Sequence, residues 1–597
     1  MKNNYSKQIR KHLVLLMLVF GFVNVYSQQD LPISLTPQEK LMMHDYYMQP
    51  NPKSGVMTPP LSKVRNAAEW EEIDALIVTW TTYTSILREI VRNAVNECKV
   101  YIVCSDSASV KSSLTSGGVN LTNVRYVIAP FNSVWVRDYG ANNVYTNDVD
   151  SLLLVDWTYN RPRPKDDTLA RTMTKVTGIP LYEMTQTPNK LVATGGNWMT
   201  DGMGTAFSSH LITDENSPSS TYGQNLTEAD IDTLAKHYLG INKYIFFPTL
   251  PYDGIHHIDM HVKLLDEETL LWGQYPTGVA DGPQIEANIA YLQSNYTSTF
   301  GTPYRIVRIP MPPDSAYNNA WPNNSGSYLT YTNGVFVNKT FLYPTYYKQY
   351  DSVAQRIYQE NLPGYNVVPI NCYQSITASG AIHCITHCIA SSDPLLIVHR
   401  PVRDTTFDFI STNSIYFKAY IKHRSGIQSA TIHIKNALSS TYTSYAMNSV
   451  PGETDYWQVN IPTSALEINS YNTIQYYIDA SSNSGKTQIR PITAPTGYWT
   501  FNITFGDGIN ELSKINLGKI YPNPASAITC IPVETSNNTN ATLDVYDMIG
   551  KKIKNIYTGT ISGKKNFFIN AADLAKGVYM VTLKTNNFSQ TQKLIVK

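Results

Sequence analysis

The stretch Ile73-Asp74-Ala75-Leu76-Ile77-Val78-Thr79-Trp80 decides the fold of the first two thirds of this chain. It is short, apolar almost throughout and rich in β-branched residues, as a strand buried on both faces must be. Residues 86–96 follow with apolar side chains at helical spacing, and Lys99-Val100-Tyr101-Ile102-Val103 is a second strand of the same kind. Further strands are expected at 124–128, 151–155, 270–272 and 304–309. Repetition of the β-α unit predicts an α/β domain over 65–400.

Moving outward from that block, residues 28–64 are rich in Pro and Met without a sustained period and read as a lead-in segment. Before it, Lys2, Lys7, Arg10 and Lys11 precede an apolar run over 13–23, and the small residue Ser27 stands at the expected cut. This is the pattern of a secretory signal peptide over 1–27, and its apolar run is too short to span a bilayer comfortably. No second membrane segment is expected. Six cysteines in 597 residues do not make a disulfide scaffold, although Cys384 and Cys388 leave a redox couple open as a reading.

Beyond Arg400 the helical period vanishes. Strands expected at 414–421, 430–434, 456–461 and 473–480, separated by Gly, Ser, Asn and Pro turns, predict an Ig-like sandwich over 401–505. From 506 to 597 a third composition begins, opening on Tyr521-Pro522-Asn523-Pro524 and carrying strands at 542–546 and 578–583. A net charge of +1 gives no electrostatic case for nucleic acid or an anionic membrane as partner. Charged residues are only 16% while Tyr numbers 42, a polar but uncharged composition suited to work outside the cell.

Four clusters in the α/β block carry chemistry. Cys384 lies in Ser379-Gly380-Ala381-Ile382-His383-Cys384-Ile385-Thr386-His387, a thiol between a small-residue turn and two imidazoles. Trp135-Val136-Arg137-Asp138-Tyr139-Gly140 reads as a strand with Trp135, Arg137 and Tyr139 on one face and Asp138 on the other. In an extended His256-His257-Ile258-Asp259-Met260-His261, residues His257, Asp259 and His261 share a face, which also suits zinc ligation. Tyr331-Thr332-Asn333-Gly334 is the fourth. Each cluster taken alone has a structural reading: an inert buried thiol, a surface ion pair, a satisfied histidine or asparagine. Together, two carboxylates, an imidazole and a thiol suit a guanidinium, which is planar, cationic and matches carboxylates bidentately. The thiolate attacks the central carbon, ammonia leaves with a proton from the imidazole, and water hydrolyses the thiouronium.

These motifs, with Ala68-Glu69-Trp70-Glu71, Thr194-Gly195-Gly196-Asn197-Trp198-Met199-Thr200-Asp201-Gly202 and His383-Cys384-Ile385-Thr386, resemble the series of the agmatine-deiminase-like family. They are more similar still to bacterial secreted peptidylarginine deiminases. The resemblance implies a five-bladed, pseudo-symmetric α/β propeller (the pentein fold) and no cofactor or metal. It implies that Asp138 and Asp259 bind the guanidinium, His257 is the general acid and base, Asn333 orients it, and Cys384 is the nucleophile. Trp135 would wall the substrate side chain. Arg161 and Arg163, in Asn160-Arg161-Pro162-Arg163-Pro164, would clamp the free carboxylate of a peptide's C-terminal arginine; without the resemblance they are a stiff solvated loop. Where that family has a tyrosine three residues before the histidine, this chain has Gly254, which puts its hold on a peptide main chain in question.

The Tyr-Pro-Asn-Pro opening, Val545-Tyr546-Asp547-Met548-Ile549-Gly550, Gly577-Val578-Tyr579 and the terminal Lys593-Leu594-Ile595-Val596-Lys597 resemble the C-terminal sorting domain of type IX secretion cargo. That resemblance implies export across the outer membrane with the type IX machinery as partner. The reading is a secreted enzyme making citrulline and ammonia from C-terminal peptidylarginine. An agmatine deiminase with the same chemistry is the alternative, and a cysteine peptidase or a surface adhesin lies further off.

Overall fold

In the computed structural model, which describes residues 31–49, 55–403, 405–408, 412–466, 472–504, 515–585 and 588–597, strand Ile73–Thr79 is buried at every position but Asp74. It runs parallel to Lys99–Cys104, which runs parallel to Val124–Ile128. Helix Thr84–Ala94 makes the crossover that parallel strands require, burying Ile86, Leu87, Ile90, Val91 and Ala94. The signal-peptide expectation at 1–27 lies outside the described residues.

The same unit, an antiparallel pair followed by a helical return to a parallel strand, recurs in four further sheets. Asn142–Thr146 and Leu152–Tyr159 are followed by helix Leu169–Thr177 and strand Leu181–Met184. Met199–Thr200 and Thr205–Ser209 are followed by helix Glu228–Leu234 and strand Lys243–Phe247. Val262–Leu264 and Thr269–Gln274 are followed by helix Gly282–Asn295 and strand Arg305–Pro310. Val335–Val337 and Thr340–Thr345 are followed by helix Lys348–Asn361 and strand Asn366–Asn371. In the first sheet the antiparallel partner of Ile73–Thr79 is His387–Ala390, from the far end of the region. A strand near the start of the region therefore pairs with one near its end, and the Cys384 turn is fixed immediately ahead of that seam.

Two local expectations change. Residues 136–139 form one helical turn, Val136–Tyr139, rather than a strand, and all four of its side chains are buried. The supposed extended run at 256–261 contains the 3-10 turn Ile258–Met260. Four to six residues are too few for a two-residue period to be told from a turn, so packing decides. The lead-in segment also holds a helix, Pro37–Met48, with Thr36 and Glu39 forming a capping box at its start. Its buried residues Glu39, Met43 and Tyr47 are spaced every fourth position, but an acid on the inward face hides the period.

Beyond this region, strands 414–422, 427–436, 456–462 and 472–482 belong to two sheets around Phe417, Ile432, Tyr476, Ile478 and Phe501. Burial alternates residue by residue along Asn472–Ser482, as a sheet with one face on the core demands. Ion pairs of Arg403 with Asp266 and Glu268, and of Arg490 with Glu267, join these sheets to the α/β region. The last sheet is built from Ile515–Leu517, Ile528–Tyr546, Lys552–Asn570, Gly577–Lys584 and Ser589–Val596. No helix among the described residues is long and apolar enough to cross a membrane.

Candidate active site

Four one-turn elements from different sheets meet at one point: Val136–Tyr139, Gly195–Asn197, Ile258–Met260 and His383–Ile385. Two of them follow residues in left-handed backbone, His256 at φ 57° and Ser379 at φ 70°, which swing the chain sharply inward. Glycine is needed where the turns touch. A side chain at Gly195 would collide with the Arg137 carbonyl, and one at Gly196 with the His257 ring.

Asp138 is buried and its Oδ1 accepts from the Gly196 N–H at 3.2 Å. The same oxygen lies 3.7 Å from His257 Nδ1. His257 has no exposed surface, and neither ring nitrogen has a hydrogen-bond partner. Burial lowers its pKa below 6.5, outweighing the attraction of Asp138 and Asp259, so the ring is neutral near pH 7.

Asp259 is held by one oxygen and free at the other. Its Oδ2 pairs with His383 Nδ1 at 2.7 Å, while Oδ1 is buried without a partner. His383 Nε2 lies 2.7 Å from Glu69 Oε1, so one imidazole links two carboxylates. Glu69 is also paired with Lys263 and lies 3.6 Å from Arg137 Nη1. Burial opposes its ionisation, but His383, Lys263 and Arg137 together hold its carboxyl well below the usual range.

Cys384 is fully buried, with Sγ 3.2 Å from the Asn333 Nδ2 donor and 3.7 Å from Asp259 Oδ2. Asn333 Oδ1 accepts from the His383 N–H at 3.0 Å and faces the Cys384 N–H at 3.4 Å. The Asn333 amide therefore braces the thiol turn rather than orienting the His257 ring. Burial pushes the Cys384 thiol well above 9, and Asp259 and Asp138 push it further. A cation placed between those carboxylates cancels their repulsion of a thiolate. The cluster thus sets two buried carboxylates, Asp138 and Asp259, around a buried thiol.

His261 does not join the cluster. Its ring lies 5.9 Å from Trp272, and burial drops its pKa to about 3. Among the described residues no group of three or more His, Cys, Asp or Glu side chains is disposed to hold a metal ion. All six cysteines are free thiols, Cys384 and Cys388 among them.

Trp135, Arg161 and Arg163 are buried against the N-terminal segment. Trp135 Nε1 donates to the Leu31 carbonyl at 2.8 Å, and Arg161 Nε to the Ile33 carbonyl at 3.0 Å. Arg163 Nε donates to Glu39 Oε1 at 2.7 Å, and its Nη2 to the Pro32 carbonyl at 2.7 Å. Gly254 is exposed, and a Cβ there would meet nothing within 4 Å. Glu69 and His383 stand in the quoted motifs without an assigned role, and Glu39 was readable only as the end of Thr36-Pro37-Gln38-Glu39.

Two buried carboxylates around a thiol on an α/β frame suit the chemistry of a guanidino-group-modifying enzyme, and comparison with known proteins gives that class. Residues 65–389 match the model of the Porphyromonas-type peptidyl-arginine deiminase family, and 519–597 that of the secretion-system C-terminal sorting domain. The chain belongs to that deiminase family and carries a type IX sorting domain, which marks it for export to the cell surface or beyond. It is 28% identical over 293 residues to a candidate agmatine deiminase of Vibrio parahaemolyticus, covering 44% of this chain and 78% of that one. One from Marinomonas sp. is 24% identical over 389 residues, covering 57% and 98%. The solved agmatine deiminase of Enterococcus faecalis is 18% identical, with 57% of this chain and 100% of that one covered and a TM-score of 0.47.

Proposed function

We propose that this exported deiminase converts the arginine at a peptide C-terminus to citrulline, releasing ammonia, with the five sheets of 64–390 as the blades of a propeller around the site. The observation that carries the reading is the set of buried polar atoms without partners beside the thiol: Asp259 Oδ1 and both His257 ring nitrogens. Such orphans are costly in a folded protein unless a ligand satisfies them. A guanidinium offers N–H donors to Asp259 and Asp138 and places its central carbon near Cys384 Sγ. The neutral His257 ring takes the Cys384 thiol proton, and the S–C bond forms as the C=N electrons move to nitrogen. The C–N bond to the departing nitrogen then breaks as His257 delivers the proton that makes it ammonia. Water, deprotonated by His257, attacks the thiouronium carbon and the thiolate leaves, giving the ureido product.

The sandwich of 401–505 is read as Ig-like, a packing module, and 506–597 as the sorting domain. Agmatine is the second reading of the substrate, because Arg161 and Arg163 are already engaged by the chain and Gly254 offers no side chain to a peptide. Citrulline and ammonia release from a peptide ending in arginine, from its C-terminal amide and from agmatine separates the two.

A further inference from the structure

The substrate-facing residues already hold a ligand, and it is part of this chain. Leu31, Pro32, Ile33 and Ser34 give their carbonyls to Trp135, Arg163, Arg161 and again Arg163. The Ile33 N–H reaches the Ala378 carbonyl at 3.4 Å, and the Ile33 side chain is completely buried. Five residues on, Glu39 sets its carboxylate on Arg163, with Oε1 at 2.7 Å from Nε and Oε2 at 3.3 Å from Nη2. Backbone carbonyls plus one carboxylate are the groups a peptide acid would present to two guanidinium forks.

The segment is built to stay there. The Thr36–Glu39 capping box starts helix Pro37–Met48, whose Met43 and Tyr47 pack on Val192 and Tyr222, with the Tyr47 hydroxyl donating to the Tyr159 carbonyl at 2.7 Å. With the segment in place, Cys384, His257, Asp259 and Asn333 all have no exposed surface. A substrate cannot reach those atoms while this arrangement lasts.

We propose that the groove formed by Trp135, Arg161, Arg163 and Ala378 is an interaction surface for residues 31–48, which occupy it in place of a peptide and keep the enzyme closed until they are displaced or cut away. The proposal rests on reading the Cys384 cluster as the active site. Its physical basis is direct competition: the segment and a peptide acid use the same donors, so only one is bound at a time. Being tethered, the segment has a high effective concentration and excludes a free peptide of similar intrinsic affinity.

The test measures access to Cys384 without depending on turnover. In the full chain, a protease recognition sequence is placed between residues 49 and 55, and iodoacetamide labelling of Cys384 is followed by mass spectrometry before and after cleavage. Cys372 and Cys530, both fully buried, report in the same sample whether the fold survives. Cleavage should speed Cys384 labelling by about tenfold for each charge-assisted hydrogen bond given up, with Cys372 and Cys530 still slow. A synthetic peptide of residues 31–48 added back should slow it again. Glu39→Arg in the uncut chain, which sets a like charge against Arg163, should act in the same direction. Equal labelling in all forms overturns the proposal. So does loss of protection at Cys372 and Cys530 in both variants, which would make the segment part of the core. If cleavage exposes Cys384 and no guanidino compound is consumed, the closure stands and the deiminase assignment of the site falls.

Discussion

Asp259 Oδ2 and His383 Nδ1 lie 2.7 Å apart with both side chains fully buried, although 124 residues of chain separate them. The contact fixes the carboxylate plane and leaves Oδ1 buried without a hydrogen-bond partner. Through His383 the constraint extends to Glu69, itself tied to Lys263 and Arg137. We expect Glu69→Gln and His383→Asn to act on binding, because they loosen a positioning group without removing the thiol. Each should raise KM more than it lowers kcat, with kcat/KM down about ten- to a hundredfold, as loss of a charge-assisted hydrogen bond implies. Steady-state kinetics on agmatine and an arginine peptide check this, and unchanged constants in His383→Asn would refute it.

Cys384→Ala should abolish ammonia release while leaving the fold intact, because the proposed covalent step is made by its thiol. The expected loss is several orders of magnitude, in line with deletion of a covalent nucleophile elsewhere. Isotope-labelled substrate followed by mass spectrometry sees residual turnover directly. A rate near that of the unmodified protein would return Cys384 to a structural role.

For the substrate, the free-acid peptide should be favoured over its C-terminal amide by roughly ten- to several-hundredfold in kcat/KM once the groove is open, since charge-assisted contacts contribute about 1.5–3 kcal/mol each. Arg163→Ala should erase most of that preference and leave agmatine turnover nearly unchanged. Equal rates on acid and amide would rule out a carboxylate clamp.

Gly254→Tyr tests the one departure from the peptide-deiminating pattern. The position is exposed and a Cβ there touches nothing within 4 Å, so the substitution should fold without cost. We expect KM for arginine peptides to fall by about threefold to tenfold, as one added aromatic or hydrogen-bond contact allows, with KM for agmatine unchanged. Identical shifts for both substrates would show that the ring meets no peptide main chain.

Acid should loosen the N-terminal segment. Burial opposes ionisation of Glu39, but Arg163 and the Thr36 N–H hold its carboxyl below the ordinary value of 4.5. A depressed carboxyl contributes stability that is present above pH 4.5 and is lost as pH falls through its lower folded-state pKa. The Tm difference between the unmodified chain and Glu39→Gln should therefore be full at pH 6 and shrink below about pH 4.5. A difference that is flat across that range would mean the Glu39–Arg163 pair does not carry the attachment.

What this sequence determined by itself was whatever depends on near neighbours in the chain. Ile73–Thr79, Lys99–Cys104 and Val124–Ile128 were legible because β-branched apolar runs have few other places to go. The alternation along Asn472–Ser482 was legible because one face of that strand meets a core and the other water. The motif residues Asp138, His257, Asp259, Asn333 and Cys384 could be named from their local patterns. Only the tertiary structure decided how they meet. Asp138 and Cys384 come together because a strand near the start of the region pairs with one near its end, His387 opposite Ile77, and no local period encodes that closure. It also decided that Asn333 braces the thiol rather than the imidazole, and that His383 bridges Asp259 and Glu69. The pairing of Arg163 with Glu39, 124 residues away, belongs to the same class. Either side chain alone reads as a solvated surface charge. Buried together they must pair, because an unmatched charge in a dry interior is far costlier than the chain entropy of bringing its partner there.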